Sequence, residues 1–418
     1  MTPQVTTLAN GLRVASQAMP ALETAAVGVF INVGSRHEAE SQAGIAHVVE
    51  HMVFKGTKRR SARAIAEQIE DAGGQLNAYT TRETTCFHAR ILAQDMPLAI
   101  DLLADLVTQA SFDETELARE CEVILQEIGQ VHDTPDDYVF DELQAAAFAD
   151  QPLGRSILGT PATVRGLSQG DLQAYRQRFY QAQDVVVAAA GKVDHDVLLR
   201  LCERAFQGLG ADAVPAPTSA RYDGGARHQD RALEQVHLAF GLPGFAYHDP
   251  DIYALQVYSM VLGGGMSSRL FQEVREEHGL AYSIFSDATA HRDCGLFSIY
   301  AGTGADEAAK AVALIGAQVQ RMTEPVAEAE LNRARAQLKA GLFMGLESPG
   351  ALSEQLGRHL LIFGRVIGPD ELVAQIDAVD QAAVARVGRR LLEGPLSQAV
   401  IGAAGALDHG AVGRHFGQ

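Results

Sequence analysis

His47-Val48-Val49-Glu50-His51 brings two imidazoles and a carboxylate together in five consecutive residues. Positions 47 and 51 are four apart, so on an α-helix their side chains stack on adjacent turns and can close on one metal ion. Glu50 follows His47 by three and adjoins His51, so it can lean over the same site. A polar helix face with two ordinary histidines has the same pattern, and the pentad alone does not separate the two. Catalytic zinc usually takes three protein ligands and keeps a position open for water, and two histidines with a glutamate are one standard set. Downstream, residues 116–128 form an amphipathic helical stretch in which Glu120 and Glu127 are two turns apart and share a face. Taken bare, each of these glutamates is more readily a solvated helix charge.

The order H-x-x-E-H is the inverse of the H-E-x-x-H zinc-protease motif. Together with the two glutamates, it resembles the pitrilysin-type (M16) metallopeptidases, the family of insulin-degrading enzyme and the mitochondrial processing peptidase. In that family the third ligand is a glutamate far beyond the second histidine, with another glutamate two helical turns before it. Here Glu127 lies 76 residues beyond His51 and 7 beyond Glu120. The resemblance implies a zinc ion held by His47, His51 and Glu127, with Glu50 as general base and Glu120 orienting a ligand or the water. It also implies a substrate-binding edge strand at Leu76-Asn77-Ala78-Tyr79-Thr80, where an extended peptide adds by main-chain pairing at Asn77 and Ala78. Arg275 and Tyr282, in the setting Gly279-Leu280-Ala281-Tyr282, match the family's arginine and tyrosine that contact substrate at the zinc site. The segment Gly263-Gly264-Gly265 resembles the family's glycine-rich loop; it lacks the lysine of a phosphate-binding loop, so nucleotide binding is not expected.

The elements that must position these groups are legible as patterns. Asn10-Gly11 between apolar runs suggests a hairpin. Residues 25–33, 76–81, 84–92 and 185–190 read as strands, and 44–54, 62–72, 96–108, 113–147, 167–180 and 195–206 as helical regions. Gly73-Gly74 stops the second of these helices. Strands and helices without regular βαβ repeats indicate an α+β fold, a largely antiparallel sheet with helices on one side. The resemblance implies that architecture twice over.

An internal duplication supports two homologous domains. Gly191-Lys192-Val193-Asp194-His195 recurs as Gly405-Ala406-Leu407-Asp408-His409, and Glu116-Leu117 and Pro135 recur as Glu330-Leu331 and Pro349. Residues 210–229, with Pro215, Pro217, Ser219, Gly224 and Gly225, read as a linker between domains 1–209 and 230–418. In the second copy Leu255, Tyr258 and Ser259 stand opposite His47, Glu50 and His51, and Ala334 and Gly341 opposite Glu120 and Glu127. One zinc site per chain is expected.

At 418 residues and 47% hydrophobic content the chain can bury more than one core. A formal charge of −18 argues against nucleic acid as a partner. No apolar run is long enough to span a membrane, the amino terminus has no signal-peptide pattern, and the four cysteines are scattered, so a reducing, cytoplasmic setting is expected. Large family members carry four such domains in one chain. With two, this chain resembles the smaller members that pair, and a homodimer with composite sites acting on peptide substrates is expected. The alternative is a non-catalytic scaffold or partner subunit, as in family members built into larger assemblies.

Overall fold

The structure is a computed structural model that describes residues 2–403, 407, 408, 410 and 412–417. Gly405, Ala406 and His409 of the recurring segment lie outside the described residues. β1 (Gln4–Thr7), β2 (Arg13–Ala18), β3 (Thr24–Ile31), β4 (Gln75–Thr80), β5 (Thr85–Leu92) and β6 (Val185–Gly191) form a 6-stranded sheet in the order β1-β2-β6-β3-β5-β4. β7 (Gly225–Gln229), β8 (Val236–Gly244), β9 (Ala281–Ala290), β10 (Gly295–Thr303) and β11 (Ser397–Ile401) form a 5-stranded sheet in the order β7-β11-β8-β10-β9. The β2–β6 and β7–β11 neighbours run parallel and all others antiparallel. The fold is α+β. Gly11, at φ +93°, turns the β1–β2 hairpin in a backbone region that suits glycine.

In the first half the helices are α1 (Ile45–Val53), α2 (Ala62–Asp71), α3 (Met96–Gln109), α4 (Glu114–His132), α5 (Pro135–Ala147), α6 (Pro161–Gly166), α7 (Gln169–Phe179) and α8 (His195–Ala205). The second half has α9 (Ile252–Gly263), a π-helical turn (Phe271–Glu277), α10 (Ala308–Arg321), α11 (Glu328–Leu346), α12 (Pro349–Phe363), α13 (Pro369–Asp377), α14 (Gln381–Leu392) and α15 (Val412–His415). Strand and helix order from β3 to α8 repeats from β8 to α15, with the π-helical turn in the place of α2. Pro135 and Pro349 both open their helices, a position where the missing N–H costs nothing. No helix among the described residues is long and apolar enough to cross a membrane. All four cysteines are free thiols.

Two expectations need correction. The compact units do not follow 1–209 and 230–418: Phe343–Ile367 belongs to the first unit, and Gln130–Arg155 to the second. Each unit therefore holds one helix from the other half of the sequence, α12 in the first and α5 in the second. The linker reading also fails at its end, because Gly225–Gln229 forms β7. Second, helices cover both faces of each sheet rather than one. On one face of the first sheet, Val27, Val29, Ile31 and Val187 pack with Val48, Met52, Leu103 and Leu198 from α1, α3 and α8. On the other, Ala15, Phe30, Val186 and Ala188 meet Leu356 and Leu360 of α12, where Ser353 Oγ donates to the Ala188 carbonyl at 2.8 Å. In the second unit α5 covers Ala239, Ala399 and Ile401 with Val139, Leu143 and Ala147. The reason lies in β6 and β11, which are buried at every position. Continuous apolar strands need cover on both sides.

Gly357 lets α12 approach β3: a Cβ there would run into the buried Phe30 ring. Helix propensity alone makes Gly→Ala stabilising by about 0.5–1 kcal/mol, whereas overpacking costs about 1–3 kcal/mol. Gly357→Ala should therefore lower the chemical unfolding midpoint, while Gly341→Ala in α11, with nothing within 4 Å, should hold or raise it. Equal stabilisation by both would contradict this packing.

Candidate metal centre

The site starts from how α1 is seated. Gly44 at its amino end has φ +96°, and the buried Glu38 carboxylate accepts from the Gly44 and Ala46 N–H groups, each at 2.8 Å. A carboxylate on these orphan donors complements the positive end of the helix dipole. Ile45, Val48, Val49 and Met52 are buried in the first unit's core. Helical spacing then turns His47, Glu50 and His51 to the opposite face. α4 is capped by Asp113, whose Oδ1 accepts from Thr115 and Glu116 N–H at 2.9 and 3.1 Å. Leu117, Cys121, Ile124 and Ile128 anchor α4 in the same core, and Glu120 and Glu127 project toward α1.

Three donor atoms converge. His47 Nε2 and His51 Nε2 are 3.2 Å apart, and Glu127 Oε2 lies 3.8 Å from the first and 3.7 Å from the second. Ligands at about 2.0–2.1 Å around a tetrahedral zinc stand about 3.3–3.4 Å from one another, so this triangle fits that ion with shifts of a few tenths of an ångström. The chemistry fits too. Two imidazole lone pairs and a carboxylate oxygen repel one another unless a cation or a proton lies among them. Burial, then the neighbouring His51, push the His47 pKa down to about 3, so at neutral pH it is the uncharged ligand form.

Glu120 and Glu50 surround this triangle in different roles. Glu120 is buried; its Oε1 is 2.9 Å from His51 Nδ1 and its Oε2 2.6 Å from Lys55 Nζ. A carboxylate on Nδ1 fixes the tautomer that leaves Nε2 free for a metal. Burial raises the Glu120 pKa, but the hydrogen bonds from Lys55 and His51 outweigh it and hold the group below the usual carboxylate range. His47 has no such partner among the described residues: its Nδ1 is buried without a hydrogen bond, and its ring packs edge-on to that of His51 at 4.4 Å. Glu50 accepts a hydrogen bond from Thr80 Oγ1 on β4. Burial, only partly offset by Thr80, holds the Glu50 carboxyl above its ordinary range.

Asn77 and Ala78 lie on β4, which among the described residues pairs with β5 alone and so forms a sheet edge that ends at Thr80 beside Glu50. Asn77 is exposed, and its Oδ1 accepts the Ala78 N–H at 2.8 Å. Because Thr81 N–H donates to the Thr84 carbonyl at the end of this antiparallel pair, the alternation of the ladder turns the Ala78 N–H away from β5, to the open side. Lys55 and the role of Thr80 escaped the sequence reading. Lys55 follows His51 by four, a spacing that could have flagged it; Thr80 stands in the sequence reading only as the end of the edge strand, and nothing in the sequence marks its bond to Glu50.

Arg275 and Tyr282 belong to the second unit. Arg275 sits on the π-helical turn with its guanidinium over the Phe271 and Tyr282 rings, at 4.6 and 5.1 Å. Tyr282 is 77% exposed on β9, another edge strand, just past Gly279. α9 carries the buried Leu255, Tyr258 and Ser259, and α11 carries Ala334 and Gly341, so the donor positions of the first unit have no equivalents here. A cluster of Glu273, Glu277 and His278 is largely exposed, with His278 Nδ1 at 2.8 Å from the Glu273 carbonyl. Gly263 and Gly264 end α9 where a Cβ would meet the Ser286 backbone and Met260, so close packing accounts for both glycines.

Comparison with known proteins covers most of the chain. Residues 13–161 match the family model described as Insulinase (Peptidase family M16), and residues 166–338 match the Peptidase M16 inactive domain. An uncharacterized zinc protease of Rickettsia bellii is 37% identical over 95% of this chain and 97% of its own length. The probable mitochondrial-processing peptidase subunit beta of Arabidopsis thaliana is 40% identical over 93% of this chain and 76% of its own. A solved structure, a protease from Helicobacter pylori, superposes with a TM-score of 0.89 at 22% identity and covers 96% of this chain and 99% of its own. That last likeness bears on the fold alone.

The donor triangle generates a metal-binding test. Elemental analysis of the purified chain should find about one zinc per chain. His51→Ala and Glu127→Ala should each lose it, whereas Glu50→Gln, outside the triangle, should keep it. Loss of zinc from Glu50→Gln, or its retention in both ligand variants, would show the donor set to be wrong.

Proposed function

The chain belongs to peptidase family M16, and on that premise we propose that it is a zinc-dependent endopeptidase working at the single centre His47, His51 and Glu127. The observation that carries this reading is the convergence of the three donor atoms to within 3.8 Å with Glu50 and its Thr80 partner beside them. When bound, zinc supplies Lewis acidity, acidifying a water and polarising the scissile carbonyl. Glu50 takes the proton that water gives up as its oxygen bonds to the carbonyl carbon, and delivers it to the amine as the C–N bond breaks. Burial holds its carboxyl above the ordinary range, which makes the carboxylate a stronger base toward the water proton than a solvated glutamate. Glu120 keeps His51 in the ligand tautomer throughout.

The substrate is an extended peptide or unfolded segment added to the open edge of β4. The main-chain groups of Ala78, which face the open edge, pair with it beside the exposed Asn77 side chain, and strand direction carries its scissile bond toward Glu50. Arg275 and Tyr282 present a donor-rich, exposed cluster suited to a substrate main chain or a developing oxyanion. We assign them to the site of a second copy, in a homodimer whose two-fold axis makes two composite sites in a closed chamber. The Arabidopsis relative is itself named as a subunit. A scaffold would have no use for this complete donor set.

Glu50→Gln should retain zinc yet lose at least about a hundredfold in kcat on a peptide substrate, the scale of general-base catalysis. A wild-type rate in that variant would remove Glu50 from the mechanism. A second expectation concerns pairing. Glu50→Gln and Tyr282→Phe chains, each poor alone, should recover about a quarter of wild-type activity after mixing and subunit exchange, since about half the dimers are mixed and each then has one intact site. No recovery, with exchange demonstrated by mass, would point to completion of the site within one chain or by a different partner.

A further inference from the structure

Lys55 stands just beyond α1, and its surroundings are not those of a free surface lysine. Its N–H donates to the Met52 carbonyl at 3.2 Å, extending the helix end by one bond. Gly56, at φ +132°, turns the chain, and its carbonyl accepts from both the N–H and the Oγ of Ser111 at 3.0 Å. Thr57 then donates through Oγ1 to the buried Asp105 at 2.8 Å, and Arg60 closes on the same carboxylate at 2.6 Å. The backbone around Lys55 is thus clamped on both sides, a helix end before it and a pinned turn after it. The ammonium is aimed back along α1, 2.6 Å from Glu120 Oε2, and the Lys55 side chain is only 32% exposed.

Glu120 needs that cation. Its side chain is 7% exposed, and a carboxylate so removed from water requires partners on both oxygens. His51 Nδ1 satisfies Oε1, and Lys55 satisfies Oε2. Without the ammonium, Oε2 is left buried and unpaired, and the carboxylate is drawn toward solvent, away from the imidazole it orients. We propose that Lys55 is a positioning residue of the metal centre: through Glu120 it locks the His51 ring with Nε2 turned to the ion. The inference rests on the metal-centre reading above and adds to it a residue outside the ligand set.

Zinc affinity measured by chelator competition on the full chain tests it, without recourse to activity. Lys55→Met should weaken zinc binding about tenfold or more, the range seen when a partner of a ligand is removed, and Lys55→Arg should restore most of the loss. In a Glu120→Gln background Lys55→Met should cost little further, because its route to His51 is already gone. The metal-free variants should melt within a few degrees of metal-free wild type. Unchanged affinity in Lys55→Met overturns the proposal, as does a full additional loss in the Glu120→Gln background. Failure of the wild-type chain to bind zinc is a separate result, and it would remove the metal centre itself.

Discussion

His51 is gripped from both ends of its ring, and the site depends on that grip. Glu120 meets Nδ1 and Glu127 faces Nε2, yet both come from one helix, two turns apart. Seven residues span about 10.5 Å of helix axis, so α4 must cross α1 at one height for both contacts to form around one imidazole. A shift of α4 by a single turn would break one of them. The hydrophobic side of the arrangement makes the crossing rigid: Val48, Val49 and Met52 of α1 and Leu117, Cys121 and Ile124 of α4 all enter one core. Polar geometry and apolar packing thus specify the same register, a consistency across levels that favours a single arrangement.

The duplicated chain shows what happens where that constraint is absent. In the second unit α9 occupies the place of α1 in the element order, but Leu255 and Tyr258 join the core instead of facing a donor helix. Tyr258 is fully buried, so the volume given to ion chemistry in one copy is filled with hydrophobic packing in the other. Around the same plan the two units trade helices, with α12 closing the first sheet and α5 the second. Both helices open on proline and follow directly on a long helix, α4 or α11, so the trade has the same form in each half.

Much of this was readable from residue spacing. The pentad, the glutamates two turns apart and the β4–β5 pair follow from local periodicity and match the structure's elements to within a residue or two, whereas the edge position of Asn77 came only with the family resemblance. The double-sided cover of the sheets was also written in the run Val185-Val186-Val187-Ala188-Ala189-Ala190, which lacks the alternation of a half-exposed strand. What periodicity cannot show is which distant helix supplies the cover, because α5 and α12 look like ordinary amphipathic helices whichever sheet they meet. Lys55 and Thr80 were hidden for a similar reason. Their partners, Glu120 and Glu50, are 65 and 30 residues away, and the one local hint is the helical spacing of Lys55 four residues past His51.

Zinc K-edge absorption spectroscopy of the purified chain tests the central claim most directly, because it reads the atoms around the metal rather than the consequences of losing them. The account predicts a low-coordinate shell of nitrogen and oxygen at about 2.0–2.1 Å, with the multiple scattering of two imidazoles and no sulfur. A shell containing sulfur, a single imidazole, or six oxygens would contradict a centre built from His47, His51 and Glu127.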